Sequence, residues 1–320
     1  MLFRSPRDER DFLEAIKKIP LIARSDANVL ITGETGTGKE LSARAVHYLS
    51  RRSSQAFVPL NCGAIPMELV ENELFGHQRG AFTGASGAQP GLIREATGGT
   101  LFLDEIDAMP PFAQVKLLRF LQDREYRPLG AAKMIHADVR VVAATSADVE
   151  QAVKAGKLRQ DLYYRLSTIT LQLPPLRHRR DDIPLLARHF VATIACRLAV
   201  RPKDISAGAM HKLLLHDWPG NVRELEHVME RAVALSKRTE IQRAEINLPG
   251  SRQTANPESF QQSKAKAVAE FETGFVRRLL EGHQGNITRA AQSAHKDARV
   301  LRQLIRKHQI DVGPFKPAGG

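Results

Sequence analysis

The sequence VLITGETGTGKE, residues 29–40, decides the fold of this chain. An apolar run, residues 29–31, leads directly into a glycine-rich loop, and a helical pattern begins directly after the loop. A phosphate-binding loop needs this context, because glycine adopts the required backbone conformations at low cost and the following helix adds the dipole of its N-terminus. The stretch matches seven of the eight positions of the P-loop pattern, which favours a nucleotide site over a plain glycine-rich turn.

Nucleotide contacts are predicted along the whole loop and at the start of the helix, at Gly33, Glu34, Thr35, Gly36, Thr37, Gly38, Lys39 and Glu40. Lys39 is expected to reach the β- and γ-phosphates. Glu40 stands where the pattern has a Ser or Thr that binds Mg²⁺. We therefore expect Mg²⁺ to rely on other carboxylates and on the waters that it retains readily.

A second half of the nucleotide site is predicted at GGTLFLDE, residues 98–105. This apolar strand ends in two adjacent acids, and successive side chains of a strand point in opposite directions. A bend at the strand end would direct Asp104 to Mg²⁺, directly or through water, and Glu105 to the attacking water. An apolar strand ending in acids is a weak signal alone, but it becomes strong in a chain that already carries a P-loop.

Short apolar runs alternate with helical patterns through the first half of the chain. Strands are predicted at residues 29–31, 57–60, 100–103, 140–144 and 169–173. Apolar strands separated by helices are typical of a parallel sheet covered on both faces, so we predict an α/β fold. After residue 175 the strand signals stop, and helices are predicted at residues 183–198, 207–215 and 222–236.

The predicted domain organisation follows from these patterns and from one polar stretch without periodicity, GSRQTANPESFQQS, residues 250–263. We expect an α/β subdomain (residues 1–175), a helical subdomain (176–249), a linker (250–263), a small all-helical domain (264–313) and a tail (314–320).

Composition and charge restrict the class of protein. The 320 residues are 42% hydrophobic, and no apolar run reaches the roughly 18 residues that a membrane span needs. The charged N-terminus lacks the apolar core of a signal peptide, and Cys62 and Cys196 have no metal-ligand or redox spacing, so a cytoplasmic protein with reduced thiols is expected. The net charge of +12 favours a polyanionic partner, although a soluble basic protein is the alternative.

Much of the positive charge lies near the C-terminus, in GNITRAAQSAHKDARVLRQLIRKHQI, residues 285–310. Two helices are predicted. Ala290 and Ala291 in the first are small enough to let the two helices cross closely. In the second, an apolar face is formed by Leu301, Leu304, Ile305 and His308. A helix-turn-helix of this charge predicts DNA contacts by Arg289, Lys296, Arg299, Arg302 and Arg306. A basic helical hairpin that only supports oligomerisation is the alternative.

The hexapeptide GAFTGA, residues 80–85, lies between the two halves of the nucleotide site. It resembles the loop by which sigma-54-dependent transcriptional activators, the bacterial enhancer-binding proteins, contact the sigma factor. A Phe between Gly and Ala also suits an exposed loop that inserts into a partner, whereas a flexible turn is the structural alternative. The resemblance implies sigma-factor contacts by Gly80, Ala81, Phe82, Thr83, Gly84 and Ala85.

Other stretches are similar to the same family, and together they cover about residues 10–310. GKLRQDLYYRL, residues 156–166, resembles the family's arginine-finger segment, which implies that Arg159 and Arg165 act on the nucleotide of a neighbouring subunit. LPPLRHRRDDI, residues 173–183, resembles the family's junction with its helical lid.

Three further site residues are implied by this resemblance. WPGNVREL places Arg223 near the phosphates as the lid's sensor, and PLNCGAI places Asn61 where the family has an asparagine that restrains the catalytic glutamate, here Glu105. Thr145 matches the first sensor. The following position departs from the pattern, because Ser146 stands where Asn or His is usual.

The resemblance implies an AAA+ ATPase that takes ATP and Mg²⁺, assembles into a homo-oligomer, as a hexameric ring, and binds enhancer DNA through a Fis-like helix-turn-helix. Its partner would be the sigma-54 RNA polymerase holoenzyme, and no membrane is involved. The family's N-terminal regulatory domain is absent from this sequence, so either the activator is unregulated in cis or the chain is truncated. The expected Leu-Gly of the helix-turn-helix is Ala294-His295 here. A passive DNA-binding regulator and another AAA+ remodelling machine are the alternative functions.

Overall fold

The computed structural model describes residues 6–82, 85–248, 260–294, 296–308, 310, 311 and 315. The chain divides into two compact units, Met1–Leu248 and Pro249–Gly320. In the described part of the chain, none of the helices has the length and apolar character that a membrane span requires.

The strands of the first unit are β1 (Val29–Thr32), β2 (Phe57–Asn61), β3 (Gly76–His77), β4 (Gln89–Pro90), β5 (Thr100–Asp104), β6 (Glu125–Tyr126), β7 (Ile135–His136), β8 (Arg140–Thr145), β9 (Ile169–Gln172), β10 (Asp204–Ile205) and β11 (Glu240–Ile241). Its helices are α1 (Pro6–Arg24), α2 (Lys39–Tyr48), α3 (Met67–Phe75), α4 (Leu92–Glu95), α5 (Pro111–Asp123), α6 (Val149–Lys154), α7 (Gln160–Leu166), α8 (Asp182–Arg197), α9 (Ala207–Leu215) and α10 (Asn221–Leu235). Short 3₁₀ turns occur at Ile106–Ala108, Leu176–His178 and Arg243–Glu245.

The main sheet has five strands in the order β2-β5-β8-β1-β9, and every pair of neighbours is parallel. These are the five strands predicted from the sequence, so the α/β fold with a parallel sheet is confirmed. Strand β1 is followed in the chain by β2 at one edge, whereas β9 returns to its other side. Ligands of such sheets bind at this kind of crossover, beyond the carboxyl ends of the strands.

Alternate residues of each central strand belong to two separate hydrophobic cores. In β5, Leu101 and Leu103 pack into the core that contains α5, while Phe102 packs into the core that contains α1 and α2. Side chains of a strand alternate between faces, so a strand that is apolar at every position indicates a sheet covered on both sides. The two cores confirm that prediction.

Helices α8, α9 and α10 form a helical subdomain around Trp218, which is fully buried. Its indole nitrogen donates a hydrogen bond to the carbonyl oxygen of Leu213 at 2.9 Å. The sequence predicted no strands after residue 175, and this was wrong in one detail. Strands β10 and β11 pair in parallel, but each has two residues, too few to leave a periodic pattern.

The second unit contains α11 (Phe260–Gly282), α12 (Ile287–Ser293) and α13 (Ala298–Lys307). Its core contains Ala290 and Ala291 from α12 and Leu301 and Ile305 from α13, the residues that the helical pattern had predicted to face inward. The side chain of Asn286 caps α12 and that of Asp297 caps α13. The predicted linker lies mostly outside the described residues, as does His295 of the turn.

Candidate nucleotide-binding site

The P-loop connects β1 to α2 and depends on glycine at three positions. Gly33, Gly36 and Gly38 have φ angles of +151°, +78° and +103°. L-residues with side chains rarely adopt such angles. At Gly36 there is also no room, because a Cβ atom would lie 2.3 Å from the carbonyl oxygen of Gly220.

Lys39 is the first residue of α2 and is held against the loop. Its side chain is buried, and Nζ donates hydrogen bonds to the carbonyl oxygens of Gly33 at 2.9 Å and Glu34 at 3.0 Å. Burial lowers the pKa of Lys39, and the nearby Asp104 carboxylate opposes this shift. The ammonium group is therefore fixed beside the loop where a phosphate chain would lie.

The site itself is a cavity of about 240 Å³ between the P-loop, the strand ends and the helical subdomain. The lining residues are Thr35, Gly36, Gly38, Lys39, Glu40, Leu41, Asn61, Asp104, Glu105, Ser146, Val222, Arg223 and Glu226. The structure thus brings together most of the predicted nucleotide residues from four separate parts of the sequence.

Three predicted loop residues do not line this cavity. Gly33 and Glu34 line a second cavity of about 650 Å³ beside α1 and the end of β9. Thr37 is buried, and its hydroxyl donates to the carbonyl oxygen of Glu34 at 2.8 Å. Glu40 lines the nucleotide cavity, but its carboxylate pairs with Arg44 one turn along α2, at 2.8 Å.

Asp104 is the last residue of β5 and Glu105 follows it, so the strand ends in two acids as the sequence predicted. Asp104 lies opposite Asn61 in the register of β5 and β2, and its Oδ1 accepts a hydrogen bond from the backbone N–H of Glu105 at 3.0 Å. Glu105 has φ +53°, an uncommon angle for a residue other than glycine, which turns the chain out of the strand. Both carboxyl side chains therefore line the cavity.

Asn61 and Glu105 approach each other around Gly63. The Oδ1 atom of Asn61 accepts hydrogen bonds from the backbone N–H groups of Gly63 at 2.8 Å and Ala64 at 3.1 Å. A Cβ atom at Gly63 would lie 2.2 Å from a carboxylate oxygen of Glu105 and 3.4 Å from Asn61 Oδ1. Within the described residues the two side chains are close neighbours without a direct hydrogen bond.

The end of β8 places Thr145 and Ser146 differently. Thr145 is buried, its hydroxyl donates to Asp107 Oδ1, and its oxygen accepts from the backbone N–H of Ala147 at 3.0 Å. Ser146 lines the cavity. The sequence singled out Thr145, but the side chain that faces the nucleotide cavity at this strand end belongs to Ser146.

The helical subdomain supplies Arg223 to the cavity, as predicted, together with Glu226. Sequence reasoning missed Glu226. A signal for it was present, because residues three apart on a helix lie on the same face, and Glu226 is three residues after Arg223 on α10.

The two predicted finger arginines lie on α7 or at its start and do not line the described cavity. Arg159 is about half exposed and pairs with Asp161 at 2.7 Å. The guanidinium of Arg165 donates two hydrogen bonds, at 3.2 and 3.1 Å, to the carbonyl oxygen of Leu121 at the end of α5.

The described residues of the GAFTGA hexapeptide, 80–82 and 85, lie in the connection between the short antiparallel strands β3 and β4. Backbone hydrogen bonds join Gly80 N–H to the Ala85 carbonyl at 2.9 Å and Ala85 N–H to the Phe82 carbonyl at 3.0 Å. Phe82 is 47% exposed, and its ring lies 5.0 Å from that of His77. Thr83 and Gly84 lie outside the described residues.

In the second unit, the five side chains predicted to contact DNA are all exposed. They are Arg289, Lys296, Arg299, Arg302 and Arg306. Lys307, the last residue of α13, and His308, which follows it, both contact the carboxylate of Glu272 on α11, at 2.8 and 2.7 Å.

Comparison with known proteins assigns both parts of the first unit. Residues 7–172 match the family described as sigma-54 interaction domain, and residues 177–265 match the AAA+ ATPase lid domain. The chain belongs to the sigma-54-dependent transcriptional activators. It is therefore an AAA+ ATPase, and the helical subdomain is its lid.

The relatives include several bacterial regulators. The chain is 44% identical to the transcriptional regulatory protein GlrR of Escherichia coli strain K12 over 306 residues, which are 95% of this chain and 68% of GlrR. It is 45% identical to the sigma54-dependent transcriptional activator SfnR of Pseudomonas putida, over 92% of this chain and 78% of SfnR. Among solved structures, NtrX from Brucella abortus in complex with ADP has a TM-score of 0.73 and 31% identity, over 97% of this chain and 70% of NtrX.

Proposed function

We propose that this activator binds enhancer DNA, hydrolyses ATP and uses the hydrolysis to convert the closed promoter complex of the sigma-54 RNA polymerase holoenzyme into the open complex. The observation that carries the proposal is the convergence of Lys39, Asp104, Glu105 and Arg223 on one cavity, in a chain that also exposes Phe82 of the GAFTGA loop.

The residues of the cavity suggest separate roles in hydrolysis. Lys39 and Arg223 are the cations that would neutralise the phosphates, and Glu105 is the carboxylate that would orient the attacking water. NtrX, whose structure is similar, has been solved in complex with ATP and with ADP, which supports nucleotide binding by this chain.

Asp104 is the residue that would hold Mg²⁺, directly or through water. The described side chains include no group of three or more His, Cys, Asp or Glu that could hold a metal ion. Mg²⁺ usually takes one or two carboxylates and completes its shell with waters and phosphate oxygens. The ion would neutralise charge on the phosphates when bound. Glu40 is already paired with Arg44 and is a poor ligand.

A homo-oligomeric ring, a hexamer by analogy with the family, would bring Arg159 to the nucleotide of the neighbouring subunit. Arg159 is exposed and is N-terminal to α7, away from its own cavity, as a residue acting on a neighbour needs to be. Arg165 is bound to the Leu121 carbonyl, so in this structure it supports α7 from within its own subunit.

We assign the second unit to DNA binding as a Fis-like helix-turn-helix at residues 264–313, with α13 as the helix that enters the major groove. Its exposed basic side chains would contact phosphates and guanine edges. Because each phosphate contact releases counterions, DNA affinity is expected to fall steeply with salt.

The deciding experiment is open-complex formation in vitro with sigma-54 holoenzyme, ATP and an enhancer-bearing template, measured for the wild type and Glu105→Ala. The wild type is expected to form open complexes, and the variant is expected to bind ATP, hydrolyse none and form none. A wild type without ATPase activity would favour the passive DNA-binding regulator. An active ATPase that does not capture sigma-54 with a transition-state analogue of ATP would favour another AAA+ machine.

A further inference from the structure

The P-loop is hydrogen-bonded to the lid, and the lid residues that make these bonds have no assigned role at the nucleotide site. Three consecutive carbonyl groups of the loop accept hydrogen bonds from lid residues. Thr35 accepts from Asn221 Nδ2 at 3.0 Å, Gly36 from the backbone N–H of Val222 at 2.9 Å, and Thr37 from Arg179 Nη2 at 2.9 Å.

Asn221 is the residue on which these contacts meet. It is fully buried, has φ +52° and begins α10. Its Oδ1 accepts from the backbone N–H of Leu176, at the hinge where β9 leads into the lid, at 2.7 Å. Its Nδ2 also donates to Glu34 Oε2 at 3.2 Å. One side chain thus joins the P-loop, the hinge and the lid helix that carries Arg223.

Glu34 completes the connection from the side of the loop. Its two carboxylate oxygens accept hydrogen bonds from Arg177, at 2.5 and 2.8 Å, in the hinge turn Leu176–His178. These hydrogen bonds from Arg177 lower the pKa of Glu34 to about 2, so the carboxylate stays ionised. The second hinge arginine, Arg179, is buried against the ring of Phe12 on α1, with its Cζ atom 3.9 Å from the ring centroid.

We infer that Asn221 and Glu34 form a latch between the P-loop and the lid, and that this latch transmits nucleotide binding at the loop into the orientation of the lid and of Arg223. The inference rests on the proposed ATPase function. Loop carbonyls bonded outward leave the loop N–H groups free to face the phosphates, so the donors on the lid help to hold the binding shape of the loop. The coupling is reciprocal. If a lid position stabilises the binding shape of the loop and so raises the affinity for nucleotide by some factor, bound nucleotide favours that lid position by the same factor.

The latch is tested with Asn221→Asp and Glu34→Ala. Asn221→Asp keeps the acceptor for Leu176 but loses both Nδ2 donors and places a second carboxylate beside Glu34. Glu34→Ala removes a half-exposed side chain, so it tests the latch without threatening the core. The control is Glu230→Ala, which breaks a lid ion pair with Arg197 at 2.7 Å that does not touch the loop.

Two measurements are made: the KM and kcat for ATP, and hydrogen exchange of the backbone amides of residues 33–39, 174–182 and 218–226 with and without ADP. For both latch variants we expect the KM to rise about tenfold, since each loses at least two polar contacts between the loop and the lid. We also expect ADP to protect the P-loop amides but no longer those of the hinge and lid. Glu230→Ala is expected to behave as the wild type in both measurements.

Glu34→Ala with unchanged KM and full ADP-dependent protection of the lid would overturn the latch. A uniform loss of protection without ADP would make these residues merely structural and would also overturn it. Partial rescue of KM in Glu34→Gln, which keeps one of the two acceptor oxygens, would support it. These outcomes differ from failure of the proposed function, which would appear as a wild-type protein that binds or hydrolyses no ATP.

Discussion

Two glycine-rich loops in this molecule have similar compositions and opposite surroundings. In the P-loop, the carbonyls of Thr35, Gly36 and Thr37 are bonded to the lid and Lys39 is buried. In the GAFTGA loop, the described hydrogen bonds are local to residues 78–85, and Phe82 is 47% exposed. In the P-loop, glycine allows the backbone to approach the lid closely. In the GAFTGA loop, glycine is part of an exposed turn. The comparison supports the proposal that one loop is shaped in advance for a nucleotide and that the other is presented to a partner.

Removing the charge of the P-loop gives the largest expected effect. Lys39→Ala is expected to raise the nucleotide dissociation constant by at least about 100-fold, because two or more hydrogen bonds to charged phosphate oxygens are lost. Calorimetric titration with a non-hydrolysable ATP analogue measures it. Lys154→Ala is the control, since Lys154 is 79% exposed on α6. Unchanged affinity in Lys39→Ala would mean that this loop does not bind the phosphates.

Removing the exposed ring of Phe82 in the GAFTGA loop is expected to impair sigma-54 engagement and open-complex formation, but not ATP hydrolysis. Phe82→Ala is expected to leave the melting temperature and most of the ATPase rate unchanged. Its affinity for sigma-54 is expected to fall at least about 30-fold, since an aromatic anchor at an interface contributes roughly 2 kcal/mol or more. Open-complex yield then falls with it.

The matched control for that ring is Phe112→Ala, because Phe112 has the same exposed fraction of 47% and lies at the start of α5. Equal losses of open complexes in both variants, or normal activation by Phe82→Ala, would contradict the role of the loop. Thr83, at the centre of the GAFTGA loop, lies outside the described residues, and Thr83→Ala is expected to give the same uncoupling.

One glycine in each loop allows the two loops to be compared by the same change, Gly→Ala, which adds a single methyl group. Gly36 and Gly80 have nearly equal φ angles, +78° and +80°, but a Cβ atom at Gly36 would meet the Gly220 carbonyl oxygen at 2.3 Å whereas one at Gly80 would meet nothing within 4 Å. Gly80→Ala is expected to cost only the strain of the left-handed backbone, about 1–2 kcal/mol of unfolding free energy. Gly36→Ala is expected to cost more and also to weaken nucleotide binding.

Thermal unfolding and nucleotide titration of the two variants measure this difference. Equal losses of stability, with nucleotide affinity intact in both, would show that the lid does not constrain Gly36.

The smallest expected effect is on the pH dependence of stability. The hydrogen bonds from Arg177 lower the pKa of Glu34 to about 2 from 4.5 in the unfolded chain. A carboxyl group with a lowered pKa in the folded state stabilises the protein above its unfolded pKa and loses that contribution as pH falls. The difference in melting temperature between wild type and Glu34→Gln is therefore expected to be constant above about pH 5 and to shrink toward pH 2. A difference that stays constant down to pH 2 would contradict this pairing.

Much of the first unit could be predicted from the sequence because its signals are local. The apolar strands, the glycine-rich loop and the acids at the end of β5 can each be recognised within about ten residues. This is because strand burial, loop conformation and strand-end chemistry depend on neighbouring positions. The paired strands β10 and β11 escaped prediction because two residues carry no periodicity. Glu226 escaped because its meaning depends on which face of α10 is turned to the cavity.

The sequence by itself determined the fold class, the family and the residue types of the nucleotide site, because these depend on short motifs with a physical requirement at each position. Tertiary structure alone decided which side chains share the cavity. It buried Thr145 against Asp107 and turned Ser146 to the nucleotide side, and it directed Glu34 to the lid hinge. These outcomes depend on contacts between segments up to 187 positions apart, as between Glu34 and Asn221, and no local pattern encodes them.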